Sequence, residues 1–193
     1  MFSAKKPVGT SPHLHGSTIL YYTIKKHNYI EYYRIKYRWS AYKENFFMNK
    51  NVEIKEERVS AEEYTDFLKR TDLGSQYPKE RFEQRISKLV DNVTISLFAK
   101  NKSGLIVGAL FGLTDYVYWL YVTDLGVDRA YEGQGMGTEL MKTAHIIDGG
   151  EKDIAVYLIA NENAIPFYEK LGMKKAADVM QYNHIEWTEF NVQ

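Results

Sequence analysis

Apolar residues along the chain change period several times, and each change marks an element. Val52–Glu57 alternates as a strand does. Ser60 and Glu63 form a capping-box pair ahead of Tyr64, Phe67 and Leu68, which fall at helical spacing. Pro78 suits a first turn, and Phe82, Ile86, Leu89 and Val90 then share one face of a second predicted helix. Val93, Ile95, Leu97 and Ala99 return to alternation. The turn residues Asn101–Gly104 join that strand to a second one over Leu105–Leu113. Tyr116–Val127 reads as a long third strand, followed by a helix with Met136, Leu140, Ala144 and Ile147 inward and Gly149-Gly150 at its end. Ile154–Ala160 suits a buried strand. Ala164–Leu171 is a short helix with Gly172 in the C′ position, and Lys174–Phe190 has room for two more strands.

This order, β-α-α-β-β-β-α-β-α-β with one further strand in the tail, places hairpin-linked strands first and a β-α-β unit later. It predicts an α/β (α+β) fold: a mixed, mostly antiparallel sheet of about six to seven strands, with about four helices divided between its faces.

Composition changes the picture at the N-terminus. Residues 1–48 hold eight Lys/Arg against two Asp/Glu, whereas the whole chain of 193 residues is neutral, so the rest is acidic by the same amount. Seven of the sixteen tyrosines precede Asn51. The break divides the chain into a basic, Tyr-rich extension (1–48) and a domain (49–193). The extension reads as a disordered appendage or a start-site artefact with Met48 as the native start, as a docked structural arm, or as an arm for nucleic acid. No recognition motif supports the last of these. The chain has no cysteine, which excludes disulfides, a catalytic thiol and thiolate metal sites. Neither an eighteen-residue apolar run nor a signal-peptide core is present, and the expected location is the cytoplasm. The histidines lack metal-ligand spacing, and no nucleophile elbow supports a hydrolase triad.

The most informative chemistry lies in LGVDRAYEGQGMGTELM, Leu125–Met141. A strand ends at Val127, and Gly133, Gly135 and Gly137 lead directly into a helix. Glycines there let the backbone approach a ligand, and the free N–H groups of a helix start favour an anion. The spacing G-x-G-x-G fits neither the dinucleotide fingerprint nor a Walker loop, so by itself it is equally readable as a structural corner.

With its flanks, Glu132-Gly133-Gln134-Gly135-Met136-Gly137 resembles the acetyl-CoA signature of the GNAT N-acetyltransferase superfamily, a basic residue or Gln followed by x-x-G-x-G/A. The block Asn161, Ala164, Phe167, Tyr168, Glu169, Lys170, Leu171, Gly172 resembles that family's C-terminal motif. The likeness runs from about Val52 to Phe190, and the order of elements agrees with it. It implies acetyl-CoA as co-substrate, with the pyrophosphate on the main chain of Gly133 to Thr138 (Gln134, Met136 and Gly137 included). Leu125, Gly126 and Val127 would bond the pantetheine amides as an added strand does. Asn161 and Ala164 would border the pantetheine arm, Phe167 would pack on it, and Tyr168 would protonate the departing thiolate. A phenol suits that task chemically, because it can hydrogen-bond sulfur and release a proton as charge develops. Phe167, Tyr168 and Leu171 are also readable as the packed face of a short helix, although adjacent residues do not share one face.

Two features depart from the family pattern. Glu132 stands where Arg or Gln is usual, so either it turns outward and only its N–H contributes to cofactor binding, or affinity is weakened; Arg129 and Lys142 are candidate compensating cations or plain surface charges. The strand positions that carry a glutamate base in some members are here Tyr121 and Thr123, and alternation places Asp124 on the opposite side from both. No base is assigned, and a water chain is the leading substitute. Tyr116, Tyr118, Trp119 and Tyr121 either wall an acceptor pocket or simply pack as strand aromatics.

The reading is an acyl-CoA-dependent N-acetyltransferase that moves acetyl to a primary amine of a small molecule or peptide by direct attack, without a metal. The acidic domain favours a cationic acceptor. The alternative is a non-catalytic acyl-CoA-binding regulator on the same scaffold. Membrane and nucleic-acid partners are not expected, and a homodimer is left open.

Overall fold

The computed structural model describes residues 51–150, 152–183 and 190–193. The basic extension therefore lies outside the described residues. Five strands form one sheet in the order β1-β2-β3-β4-β5: Val52–Glu56, Ile95–Asn101, Ile106–Thr114, Trp119–Val127 and Ala155–Leu158. The first four pair antiparallel, and β4 and β5 pair parallel through a helical crossover. This is the mixed, mostly antiparallel sheet expected, and among the described residues it has five strands where six to seven were expected. Of the tail, residues 174–183 hold no strand and residues 184–189 lie outside the described set.

Four α-helices flank the sheet: α1 (Ala61–Lys69), α2 (Phe82–Asn92), α3 (Met136–Asp148) and α4 (Ile165–Lys170). The capping box forms as read: Ser60 Oγ accepts from Glu63 N at 3.2 Å, and Glu63 Oε2 accepts from Ser60 N at 3.0 Å. α1 buries Tyr64, Phe67 and Leu68 completely. Together with Ile86 and Val90 of α2 they cover Phe98, Ala109 and Phe111 on one face of the sheet. The other face carries Ile95, Leu97, Ala99, Val107, Leu110, Leu120 and Val122 under Met136, Leu140 and Ala144 of α3, with Tyr168 and Leu171 packed alongside. Alternation along β2 (Leu97 and Ala99 to one side, Phe98 to the other) is what divides the core into these two layers.

Three boundaries differ from the sequence expectation. α2 starts at Phe82 rather than near Pro78, because Arg81 sits in the left-handed region at φ 55°. Residues 76–81 are consequently a loop, and Tyr77 belongs to it. β4 starts at Trp119 rather than Tyr116: Asp115 Oδ1 accepts the N–H groups of Val117, Tyr118 and Trp119 at 2.8–3.0 Å, a side-chain cap that holds a turn. β5 spans only Ala155–Leu158, shorter than Ile154–Ala160.

Candidate active site

The decisive local feature is a register shift in β4. Phe111 pairs with Asp124 and Gly112 with Val122, so Thr123 is an extra residue opposite no partner of its own. This is a β-bulge, which twists the strand and re-aims the side chains beyond it. Next to it, the β4–β5 ladder ends at Val122↔Leu158, while β4 continues five residues to Val127. Beyond the bulge, no strand of the described residues lies on the edge of β4 that faced β5. An extended ligand with amide groups could add there as a strand does.

That open edge leads into the glycine turn. Gly133 (φ 72°) and Gly135 (φ 81°) both occupy the left-handed region, where a side chain is strained. Gly135 is the N-cap of α3, and with no side chain there it supplies no capping bond. The first intrahelical bond is Glu139 N to Gly135 O at 3.1 Å, so the preceding N–H groups of Met136, Gly137 and Thr138 have no partner within the helix. Oriented donors at a helix start form an anion site. A Cβ on Gly137 would meet the Phe167 ring at 3.2 Å and Val127 Cγ2 at 3.9 Å, so the end of β4, the start of α3 and α4 converge there.

The other expected binding residues take distinct places. Leu125 and Val127 are half-buried against the α3-side core. Gly126 faces the opposite layer, and a Cβ there would meet Leu73 Cδ1 at 2.5 Å. Packing explains that glycine. The Met136 side chain is buried in the core, leaving only its main chain to a ligand. Glu132 and Gln134 are exposed, Thr138 and Ala164 are half-buried, and exposed Asn161 precedes the short 3₁₀ turn Glu162–Ala164. Arg129 is engaged elsewhere: its guanidinium donates to Asp72 Oδ1 at 3.0 Å and to Thr71 O at 2.8 Å. Lys142 Nζ lies 3.4 Å from Glu139 Oε1. The N–H groups of Met136, Gly137 and Thr138 are thus left unpaired within the helix, while the Arg129 guanidinium is bound into the α1 side of the molecule.

Phe167 and Tyr168, although adjacent, have their rings edge to face with centroids 5.0 Å apart. Tyr168 is half-buried against the α3-side core, and burial raises its phenol above the ordinary value. Among the described residues no hydrogen bond is made to its hydroxyl.

Asp124 is the residue that sequence reasoning placed wrongly. Simple alternation sets it opposite Tyr121, but the extra residue at Thr123 turns it onto the α1 face. Its partner Phe111 lies in the α1/α2 layer, and Tyr121 pairs with Leu113 two positions further along the same side. The carboxylate is buried and accepts hydrogen bonds from the hydroxyls of Tyr77 and, at 3.5 Å, Tyr64, whose phenols are 3.1 Å apart. Burial raises the pKa of Asp124 above the usual carboxylate range, and the bonds from Tyr77, Thr123 and Tyr64 only partly offset this. Burial holds both phenols well above their ordinary values, with the Asp124 charge acting in the same direction, so they remain donors. This buried carboxylate lies two residues beyond Val122, where the β4–β5 ladder ends.

A model of the acetyltransferase (GNAT) domain matches residues 54–193, nearly three-quarters of the chain. The chain belongs to the GNAT acetyltransferase family. Solved structures of the same fold include a proposed acetyltransferase of Deinococcus radiodurans (21% identity, TM-score 0.56, covering 70% of this chain and 90% of that one). Others are a GNAT-family acetyltransferase of Streptococcus pneumoniae (20%, 0.51, 69% and 99%) and an acetyltransferase of Trypanosoma brucei (22%, 0.50, 69% and 99%). No curated protein matches the chain. Among the described residues, no helix is long and apolar enough to cross a membrane, and no group of three or more His, Asp or Glu could hold a metal ion.

Proposed function

We propose that this GNAT domain transfers acetyl from acetyl-CoA to a primary amine by direct attack. The observation that carries the reading is the bulge at Thr123. It coincides with the opening of the β4 edge, lies upstream of the glycine turn, and sets Asp124 at the mouth of that opening. The N–H groups of Met136, Gly137 and Thr138 bind the diphosphate, the main chain of Leu125–Val127 bonds the pantetheine amides, and Phe167 walls the arm.

Asp124 receives the acceptor ammonium. In a site shielded from water the charged pair is disfavoured relative to the neutral one, so the carboxylate takes the proton and frees the nitrogen lone pair. Nitrogen bonds to the thioester carbon, and the carbon–sulfur bond then breaks. Tyr168 transfers its hydroxyl proton to the leaving sulfur, and its raised pKa keeps it protonated until that charge appears; the extra proton on the newly acylated nitrogen then returns through water to the Tyr168 oxygen, leaving a neutral amide, a thiol and the restored phenol. Tyr64 and Tyr77 orient Asp124 from the α1 side.

An amine-acceptor screen that monitors free thiol release from acetyl-CoA tests this directly, with binding of CoA followed in parallel. Amine-dependent thiol release is the expected result. Tight CoA binding with no transfer in a single turnover, to any amine, would instead identify an acyl-CoA-binding regulator, a reading that the exposed Glu132 at the usual Arg/Gln position favours.

A further inference from the structure

The helical layer over the Asp124 face stops short of the sheet edge. α1 and α2 cover β2 and β3, and Phe67 and Leu73 lie over Gly126 near the end of β4, whereas Trp119, Tyr121 and Tyr157 are exposed. The register sets Leu113, Tyr121 and Tyr157 in one row across three strands, with Trp119 opposite Ala155 in the next. All four large side chains are exposed: Trp119 by 54%, Leu113 by 46%, Tyr157 by 38% and Tyr121 by 37%. The Trp119 and Tyr157 rings lie 5.6 Å apart, tilted by 52°. A contiguous exposed apolar patch of this kind marks a binding surface. Tyr121 joins it to the carboxylate, since its partner Leu113 and Asp124's partner Phe111 lie two positions apart on the same side of β3.

Charge limits what can occupy the surface. None of the four wall residues is a carboxylate, and Asp115, before the start of β4, already accepts three main-chain N–H groups through one oxygen. A flat aromatic body covers this floor with apolar surface, which the hydrated ammonium groups of a polycation do not. One anion at the end of an aromatic floor is complementary to one cation on a flat apolar body.

The geometry points to the acceptor class: a primary amine joined by a short linker to an aromatic body, the ammonium on Asp124 and the ring on Trp119 and Tyr157. This rests on the transferase reading for the position of the reacting nitrogen and adds what carries it. It also narrows the cationic preference read from net charge to a single cation.

Calorimetric titration of the full chain, with CoA present, tests the proposal using 2-phenylethylamine, n-butylamine and spermidine. Phenylethylamine is expected to bind about tenfold tighter than butylamine, and spermidine no tighter than butylamine. Trp119→Ala abolishes the difference, and Trp119→Phe retains most of it. Asp124→Asn weakens both monoamines alike. Equal affinities for the two monoamines, a preference for spermidine, or selectivity that survives Trp119→Ala overturns the proposal. So does a dimer that Trp119→Ala dissociates, since the patch would then belong to a second copy. Thiol release on the same samples keeps the two readings apart. Acetylation of butylamine without aryl preference leaves the transferase standing and removes this acceptor class. Aryl-selective binding with no thiol release from any amine supports the pocket and removes the transferase.

Discussion

The two faces of the sheet are built by different means. On the α3 face the proposed cofactor groove is mostly backbone: left-handed glycines at 133 and 135, unpaired N–H groups at the start of α3, and the free edge of β4. On the α1 face the proposed acceptor site is all side chain: Asp124, Tyr64, Tyr77 and the open aromatic row. A backbone site recognises what every acyl-CoA shares. A side-chain site recognises one acceptor, and can be rebuilt without disturbing the other face.

The comparison can be broken by variants that should affect one face alone. The largest effect is expected at sulfur. Tyr168→Phe should lower kcat roughly 100-fold, within the range for loss of a general acid, with acetyl-CoA affinity within about twofold. Stopped-flow thiol release with parallel calorimetry checks it, and unchanged turnover would remove Tyr168 from the mechanism. Next in size is Gly135→Val, which forces a β-branched residue to φ 81° in the cradle. CoA affinity should fall about tenfold or more, with saturated kcat little changed. A fall in kcat at unchanged affinity would separate the glycine turn from diphosphate binding.

The smallest effect is on stability, and its sign is set by Asp124. The folded protein holds this proton more tightly than the unfolded chain does, so stability is lost as pH rises from the ordinary carboxylate value through the raised one. Asp124→Asn has no such group to ionise. Its melting temperature should therefore gain on the parent's as pH rises from the ordinary carboxylate value through the raised one, by on the order of a few degrees. A gap independent of pH would mean that Asp124 is not raised in the fold.

The same contrast explains what was legible in the sequence. The glycine turn could be read because its chemistry is local: Gly133, Gly135 and the helix behind them are contiguous, and a left-handed turn demands glycine. The capping box at Ser60 was readable for the same reason. Asp124 was not, because a strand's period of two assumes unbroken register, and nothing local in Val122-Thr123-Asp124 announces an extra residue. The bulge exists only through pairing with Phe111 and Gly112, which are distant in sequence. The late start of α2 was hidden likewise: Pro78 is an acceptable first-turn residue, and only Arg81 at positive φ shows that residues 76–81 form the loop holding Tyr77 against Asp124. A shifted register would have been needed to find either tyrosine's role.

The central claim is that the displaced Asp124 takes the acceptor's proton beside the open β4 edge. Single-turnover acetyl transfer by Asp124→Asn, measured with acetyl-CoA affinity on the same sample, tests it most directly. The account predicts a rate about 30-fold to 100-fold below the parent's at unchanged acetyl-CoA affinity. A variant that transfers acetyl as fast as the parent would contradict it.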